Sequence, residues 1–495
     1  MYLRSTVINS IIAIVFAFIG GILGYAFRLI LAHKLTVADY GLFYAIFSFL
    51  GFFTIFISLG FTQSLAKAIV EFRVKRKFIA LKSAILSSFF LQLIVSVIIT
   101  IALVILTLFT PVINNYFKTQ NPLFFLLMLI WFVTIPIDIA IQSFLIGFQR
   151  VNLFSALNSI KLVIILCLTL IFFNIGQSQN APFLSYALSN ILLLLLLLPF
   201  LFFTFPQILK LHYVWDYKIF KKIFFYGLFI ALAGLAWSVI TYSDTMIILL
   251  FRDTAEVGLY QAALPLATIL MFFINALNSV VYPLFSRLQV ERKVKKIVQG
   301  ASLLYNYIFV GMLPLAFVMF SFPEIIIDLF FGAKFLGAIN ALRILSIGTV
   351  FFSLASFNIN LLLATGKAKI IAKIAGAVAI FNIIGNFILI PYYGFNGAAL
   401  TTALSFAFLL FGTLYAIKKY YIISIPFRKW ALNFIAGLLT IALIWYIKNI
   451  LIMNVWLELL IIAFITGMFY IALLFLFKII QLKEIFSIIK SIIKG

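Results

Sequence analysis

Apolar runs of about twenty residues alternate with short polar breaks along nearly the whole chain. A helix needs ~20 mostly apolar residues to cross the hydrocarbon of a bilayer. The pattern therefore predicts about fourteen spanning helices. They begin near Ile8, Tyr40, Ala84, Pro122, Leu153, Pro182, Ile223, Gly258, Ala301, Lys334, Ile371, Asn396, Lys429 and Val455. Arg28 and LTVADYGL follow the first run, not a small-residue cleavage site, so it reads as a retained helix and not a signal peptide.

The breaks fall into two alternating classes. One holds KAIVEFRVKRKFIALK, FQR, KLHYVWDYKIFKK, SRLQVERKVKK, GKAKIIAK, the KK and RK pairs around Tyr420 to Lys429, and the C-terminal tail. The other holds NNYFKTQN, NIGQSQNAP, FRDTAEVG and IPYYGFNG, which are nearly neutral. Basic loops stay in the cytoplasm. The expectation is a multi-pass cell-membrane protein with both termini cytoplasmic.

Composition agrees. Hydrophobic residues make up 66% and charged residues 10%, against about a quarter charged in soluble domains. The net charge of +24 would suggest nucleic acid in a soluble protein. Here the cations sit in loops between apolar runs, where anionic lipid is the partner, so no nucleic-acid partner is expected. The single cysteine, Cys167, rules out an internal disulfide.

An internal repeat divides the chain. ADYGLFYA (38–45) parallels AEVGLYQA (255–262) at a shift of 217 positions. GFQR (147–150) parallels TGKAK (365–369), and SYALS (185–189) parallels TTALS (401–405), at nearly the same shift. Six helices fit in that offset, so the halves share one orientation. The expected domains are an N-lobe of helices 1–6 (1–206), a cytoplasmic linker (207–222), a C-lobe of helices 7–12 (223–421), and helices 13–14 with a basic tail (422–495). No loop on the neutral side is long enough for a catalytic head, and His33 and His212 are the only histidines. No nucleophile, base, metal or cofactor cluster emerges, so an enzyme is not expected.

Ionisable groups inside spans are costly and default to functional candidates. They are Arg28, Asp138, Lys161, Asp244 and Arg343. Asp138 and Lys161 flank the turn at Arg150 almost symmetrically, which puts both ~17 Å from it and within reach of each other. The pair reads either as a structural tie or as a switch that substrate or a cation opens. The same hairpin argument puts Arg28 and Asp39 at similar depth near the outer surface, as a snorkelling arginine with an interfacial partner. Asp244 is read as neutral and bonded by Thr241, Tyr242 or Thr245, or as a group that titrates or holds sodium. Pro265 leaves the carbonyl of Gln261 without a helical donor, which makes that carbonyl a candidate partner. Buried tyrosines offer hydrogen-bonding tips as well as apolar faces, and intramembrane asparagines such as Asn382 and Asn386 need partners.

RLILAHKLTVADYGLF (28–43), SDTMIILLFRDTAEVGLYQAA (243–263), FPEIIIDLFFGAKF (322–335), NINLLLATGKAK (358–369) and LIPYYGFNGAALTTALS (389–405) carry a family likeness over nearly the whole chain. The chain resembles the polysaccharide-precursor (O-antigen type) flippases of the multidrug/oligosaccharidyl-lipid/polysaccharide exporter superfamily. The resemblance implies an all-α polytopic membrane protein with a V-shaped pair of six-helix lobes around a central cavity. Its implied substrate is a sugar joined through phosphate to a polyisoprenoid, delivered and received by polysaccharide assembly enzymes. On that likeness Arg28, Lys161 and Arg343 are cavity cations for the phosphate, since charge-assisted bonds to phosphate are strong. Lys367, Lys369 and Lys373 are cations at the cytoplasmic mouth. Asp138, Asp244 and Asp39 are the coupling or switch acids for H+ or Na+. Two other readings stand: an organic-cation antiporter of the same superfamily, and a non-transporting scaffold for polysaccharide assembly.

Overall fold

A computed structural model describes residues 2–204, 212–423, 426–450 and 455–480. The basic tail (481–495) and part of the expected linker (205–211) lie outside the described residues, as does the Glu458 side chain. All regular structure among them is helical. The helices are α1 (Tyr2–Lys34), α2 (Val37–Ser58), α3 (Phe61–Val74), α4 (Phe78–Phe109), α5 (Val112–Phe117), α6 (Leu123–Val133), α7 (Ile135–Gly147), α8 (Val151–Asn174) and α9 (Ala181–Thr204). The chain continues with α10 (Tyr217–Phe251), α11 (Thr254–Thr268), α12 (Met271–Val290), α13 (Val294–Ser321), α14 (Pro323–Phe331), α15 (Ile339–Ala364), α16 (Ala368–Tyr393), α17 (Phe395–Lys418), α18 (Phe427–Ile450) and α19 (Val455–Leu476).

Among the described residues, eleven helices are long and apolar enough to cross a membrane, and α11 with α12 makes a twelfth if counted as one span. The stretches Ala181–Leu195 and Phe464–Leu476 are shorter and apolar. They fall where the sixth and fourteenth spans were expected.

The structure breaks several spans that the hydropathy pattern leaves continuous. The second span splits into α2 and α3 at Leu59 and Gly60, both left-handed (φ 43° and 67°). Gly60 is also required there by contact, since a Cβ would lie 2.2 Å from the Gly227 carbonyl oxygen. The fourth span breaks at Thr134, just before Pro136. The eighth breaks by 42° between α11 and α12, downstream of Pro265. Proline supplies no N–H and crowds the preceding turn, which is the usual cause of such breaks.

The chain forms two compact units. The first comprises Met1–Ala262, Asp328–Gly337 and Ala379–Ala398; the second comprises Ala263–Ile327, Ala338–Val378 and Ala399–Gly495. These units are cut differently from the sequence division at 206 and 223. In the first unit, α10 lies along α2 and α3 by close backbone approach. A Cβ on Gly227 would come 2.5 Å from the Leu59 oxygen, and one on Gly51 would come 2.8 Å from the Tyr242 ring. Glu71 of α3 ties the same helices by pairing with Lys222 (2.9 Å) and Lys75 (2.7 Å).

The repeat has a direct structural meaning in this unit. A Cβ on Gly41 would sit 1.7 Å from the Thr254 oxygen, and one on Gly258 would sit 2.2 Å from the Val37 oxygen. Shifting 37 and 41 by 217 gives 254 and 258. The two repeats therefore touch each other reciprocally, each glycine against the other's first turn. Each first turn is also capped by its own sequence. Thr36 accepts from the Asp39 N–H (3.1 Å), and Asp253 accepts from the Glu256 N–H (2.9 Å).

In the second unit, α15 runs beside α12 and α13. Asn278 donates to Ser356 (3.0 Å), Tyr305 donates to Asn358, and Asn358 donates to Thr413 of α17 (3.0 Å). The helices α18 and α19 dock on α13. Tyr470 donates to Asn433 (2.6 Å), and Ala436, Leu473 and Leu474 bury against Val310.

Candidate functional site: buried charges and their partners

Arg28 lies six residues before the end of α1. Its guanidinium stacks over the Tyr44 ring at 4.3 Å, and Nη1 donates to Gln261 Oε1 at 3.4 Å. Gln261 in turn donates to Thr245 Oγ1 (2.8 Å), and its backbone carbonyl accepts from the Tyr40 hydroxyl (3.3 Å). The carbonyl that Pro265 strips of its helical donor is thus served by Tyr40, not by Asp244. Aromatic rings of Phe27, Phe43, Phe47, Trp131 and Tyr186 pack beside this group. Among the described residues no carboxylate lies within salt-bridge distance of Arg28; the interfacial pairing with Asp39 does not form. Asp39 instead accepts from the Thr36 hydroxyl (2.7 Å) as part of the α2 cap.

Asp244 is 3% exposed on α10. It accepts from the Tyr260 hydroxyl (2.5 Å) and from Asn386 Nδ2 (2.7 Å). Asn386 and Ser243 both donate to Asn382 Oδ1, at 3.2 and 2.9 Å. Asn382 Nδ2 and Asn386 Oδ1 are buried with no partner among the described residues. Turning either amide exchanges its donor and acceptor ends. One orientation feeds protons to a carboxylate. The other sets an amide oxygen beside the hydroxyl and carboxylate oxygens, the kind of donor a hard cation takes. No group of three His, Cys, Asp or Glu side chains suited to a metal occurs among the described residues.

Asp138 and Lys161 do meet, at 2.5 Å, bridging α7 and α8 with side chains 17% and 19% exposed. Gln142 and Asn158 line the same crevice of about 20 Å³. Arg343 is not a free cavity cation. It sits in the second turn of α15, pairs with Glu324 of α14 (2.8 Å), and donates to the Phe320 carbonyl (3.3 Å). Lys367 lies over the Tyr420 ring at 4.2 Å, while Lys369 and Lys373 are exposed on the first turns of α16.

The sequence reading missed Tyr260 as the donor to Asp244, and Tyr44 and Gln261 as the setting of Arg28. The repeat carried the signal. Adding 217 to Arg28 and Tyr44 gives Thr245 and Gln261, the pair that joins α10 to α11 where the first pair joins α1 to α2. Phe27 and Phe43, which touch at 5.8 Å, map in the same way onto Asp244 and Tyr260. The polar site of one half thus stands where the other half is apolar.

Comparison with known proteins places this arrangement. An uncharacterized membrane protein of Methanocaldococcus jannaschii is 28% identical over 445 residues, 87% of each chain. A putative O-antigen transporter of Shigella flexneri is 26% identical over 37% of this chain and 44% of its own length. A probable low-salt glycan biosynthesis flippase of Haloferax volcanii is 28% identical over 39% of this chain and 41% of its own. Among solved structures, the lipid II flippase MurJ in an inward closed conformation superposes with a TM-score of 0.69 at 20% identity, covering 94% of this chain and 98% of that one. An inward-facing multidrug resistance transporter of the MATE family superposes with a TM-score of 0.67 at 17% identity, over 83% and 99%. The fold is therefore that of these polytopic transporters. The model of the polysaccharide biosynthesis protein family matches residues 7–289, more than half of the sequence, and the chain belongs to that family.

Proposed function

We propose that the protein is a flippase that carries a lipid-linked oligosaccharide from the cytoplasmic to the outer leaflet of the cell membrane. The sugar and phosphate head crosses between two six-helix lobes by alternating access, while the polyisoprenoid stays in lipid. Hydrocarbon excludes such a head, because buried charge and unpaired hydroxyls are costly there. The names of the glycan flippase and O-antigen transporter relatives support this reading. The basic loops support a cytoplasmic location for both termini, the side on which assembly enzymes would load the substrate.

The observation that carries the proposal is Arg28. Lys161 and Arg343 each hold a carboxylate already. Among the described residues Arg28 is held by neutral partners, Tyr40, Tyr44 and Gln261, so its countercharge is left for a ligand to bring. A phosphate between α1, α2 and α11 supplies it. Asp244, wrapped by Tyr260 and Asn386, is the group through which a proton or sodium ion drives the cycle. Asp138 with Lys161 is a second candidate for that coupling, and Lys367, Lys369 and Lys373 gather the anionic head at the mouth.

The test is a flipping assay in proteoliposomes with defined lipid-linked sugars. Arg28→Gln is expected to slow flipping by about tenfold to a hundredfold, the equivalent of one charge-assisted hydrogen bond. Unchanged flipping in Arg28→Gln would overturn the phosphate role. Export of organic cations in place of lipid-linked sugar would overturn the substrate class, and no transport of either would leave the scaffold reading standing.

A further inference from the structure

Away from these buried charges, the basic end of the first unit carries two adjoining cavities, of about 530 and 280 Å³, which share Ile219 as a wall. The larger one is built on the start of α4. Its lining includes Arg76, Lys77 and the first-turn residues Phe78, Ile79 and Ala80, with Val214 and Asp216 opposite. Lys77 occupies the N-cap position of this 32-residue helix but makes no side-chain cap bond. The first N–H groups of α4 are therefore unserved by the helix, and the first-turn residues that carry them line the cavity. Such an end carries partial positive charge and binds phosphate readily.

A second observation points the same way. Ser83 lines the cavity, is 1% exposed, and its hydroxyl has no partner among the described residues. Ser64 stands in the same condition on the wall of the smaller cavity, at 3% exposed. A buried hydroxyl without a partner is costly, and an acceptor oxygen entering the cavity would relieve it.

The nearby acids are engaged elsewhere and do not compete with this ligand for Arg76 and Lys77. Asp216 Oδ1 is taken by the N–H groups of Lys218 (2.9 Å) and Ile219 (3.1 Å), and Glu71 is taken by Lys75 and Lys222. Arg76 and Lys77 are exposed and have no acidic partner among the described residues. The turn that presents them is fixed, with Arg76 at φ 54° and the Lys77 N–H bonded to the Phe72 carbonyl (2.9 Å).

The rim is apolar. Ile79 and Val214, which line the cavity, are more than half exposed, as are Trp215 and Tyr217, the chain neighbours of Val214 and Asp216. Exposed aromatic and aliphatic side chains at a span end sit among acyl chains and headgroups. A soluble anion would leave that rim uncovered, whereas a lipid would cover it.

We infer that the start of α4 is a headgroup site for an anionic phospholipid. The phosphate would accept from the first N–H groups of α4, from Arg76 and Lys77, and from the Ser83 hydroxyl. Its acyl chains would lie over Ile79, Val214 and Trp215. The site is separate from the Arg28 group and does not depend on what the protein transports.

Native mass spectrometry of the full chain, with phosphatidylglycerol or phosphatidylcholine added, tests this directly. One phosphatidylglycerol should be retained per chain and phosphatidylcholine should not. Arg76→Gln with Lys77→Gln should weaken retention by about thirtyfold, the effect of two cations near anionic lipid. Ser83→Ala should weaken it less, and it keeps the cations and the exposed turn intact should the double variant fold poorly. Arg287→Gln with Lys293→Gln, cations on another turn, should leave it unchanged. Equal retention of both lipids, or equal loss in the control, would show nonspecific charge attraction and overturn the site. So would displacement by inorganic phosphate, which would mark a soluble-anion site, and so would full retention in both Ser83→Ala and the double variant.

Discussion

Asp138 and Lys161 illustrate how much a single residue pair owes to its surroundings. Their ion pair spans two helices in a narrow crevice, so removing one partner strands the other. Asp138→Asn should lower stability by about 2 kcal/mol, below the range for fully buried pairs because both side chains retain some exposure. Asp138→Asn with Lys161→Met should recover most of that loss, as read by thermal unfolding of the four proteins of the cycle. If the double variant is stable and still transports, the pair is a structural tie. If it is stable and stalled, the pair opens during the cycle. Asp244 calls for a different experiment, because it is a buried carboxylate that accepts hydrogen bonds from Tyr260 and Asn386. Asp244→Asn keeps the shape and removes the titratable group. It should leave binding of the lipid-linked sugar intact and abolish the dependence of flipping on the driving ion. Retained ion dependence in this variant would exclude Asp244 as the coupling group.

At the scale of elements, the closest backbone contact between the two repeats is the crossing of α2 and α11. Neither glycine there can be replaced without moving a helix, since the obstructing atoms are carbonyl oxygens and not flexible side-chain ends. Gly258→Ala should therefore part the first turns, at an overpacking cost of about 1–3 kcal/mol to this conformation. In a Cys167→Ser background, Tyr40→Cys is buried in the parent geometry, where Tyr40 is 0% exposed. Adding Gly258→Ala should raise its labelling by a membrane-impermeant maleimide several-fold, and unchanged labelling would show that the crossing relaxes without opening. The starts of the expected spans could be read from hydropathy to within several residues, because hydrocarbon thickness sets a length that sequence must match. The reading at 217 residues' spacing also identified the segments that meet here. What hydropathy could not register were the breaks at Gly60 and Thr134 and the partners of Arg28. An apolar run looks the same straight or kinked, and a tertiary partner leaves no local trace. Even so, the stretches that carried the family likeness have a common explanation. Lys334 of FPEIIIDLFFGAKF donates to the Leu35 carbonyl (2.5 Å), and Glu256 of the second repeat accepts from the Phe395 N–H (2.9 Å). Gly394 is left-handed (φ 57°) against Glu256. Those motifs are turns that fasten one another, which constrains them more than the lipid-facing runs between.

For the whole molecule, the governing asymmetry is charge. The turns at Arg76, Arg150, Arg292 and Lys367 are basic, whereas those at Asn115, Gly176 and Gly394 carry few cations. Helix packing alone does not orient the protein in a membrane, because the same bundle can be inserted either way up. Retention of cations on the cytoplasmic side breaks that tie. The transport direction proposed above depends on it, since the three mouth lysines lie at a basic end. Single cysteines in a Cys167→Ser background report the outcome. Gln177→Cys and Asn180→Cys, in an exposed neutral turn, should react with an impermeant maleimide on intact cells. Arg292→Cys and Lys369→Cys, exposed on basic turns, should react only after permeabilisation. The reverse pattern would put Lys367, Lys369 and Lys373 on the outer face. The lysines could not then collect a head group made in the cytoplasm, and the protein would have to import its substrate. A mixed pattern, with some basic turns outside, would instead show that one expected span fails to cross. Ala181–Leu195 and Phe464–Leu476 are the stretches to test first, as the shorter apolar segments among the described residues. Failure of the first would leave Gln177 and the basic turn at Tyr217 on the same side, which the paired labelling of Gln177→Cys and Lys218→Cys resolves.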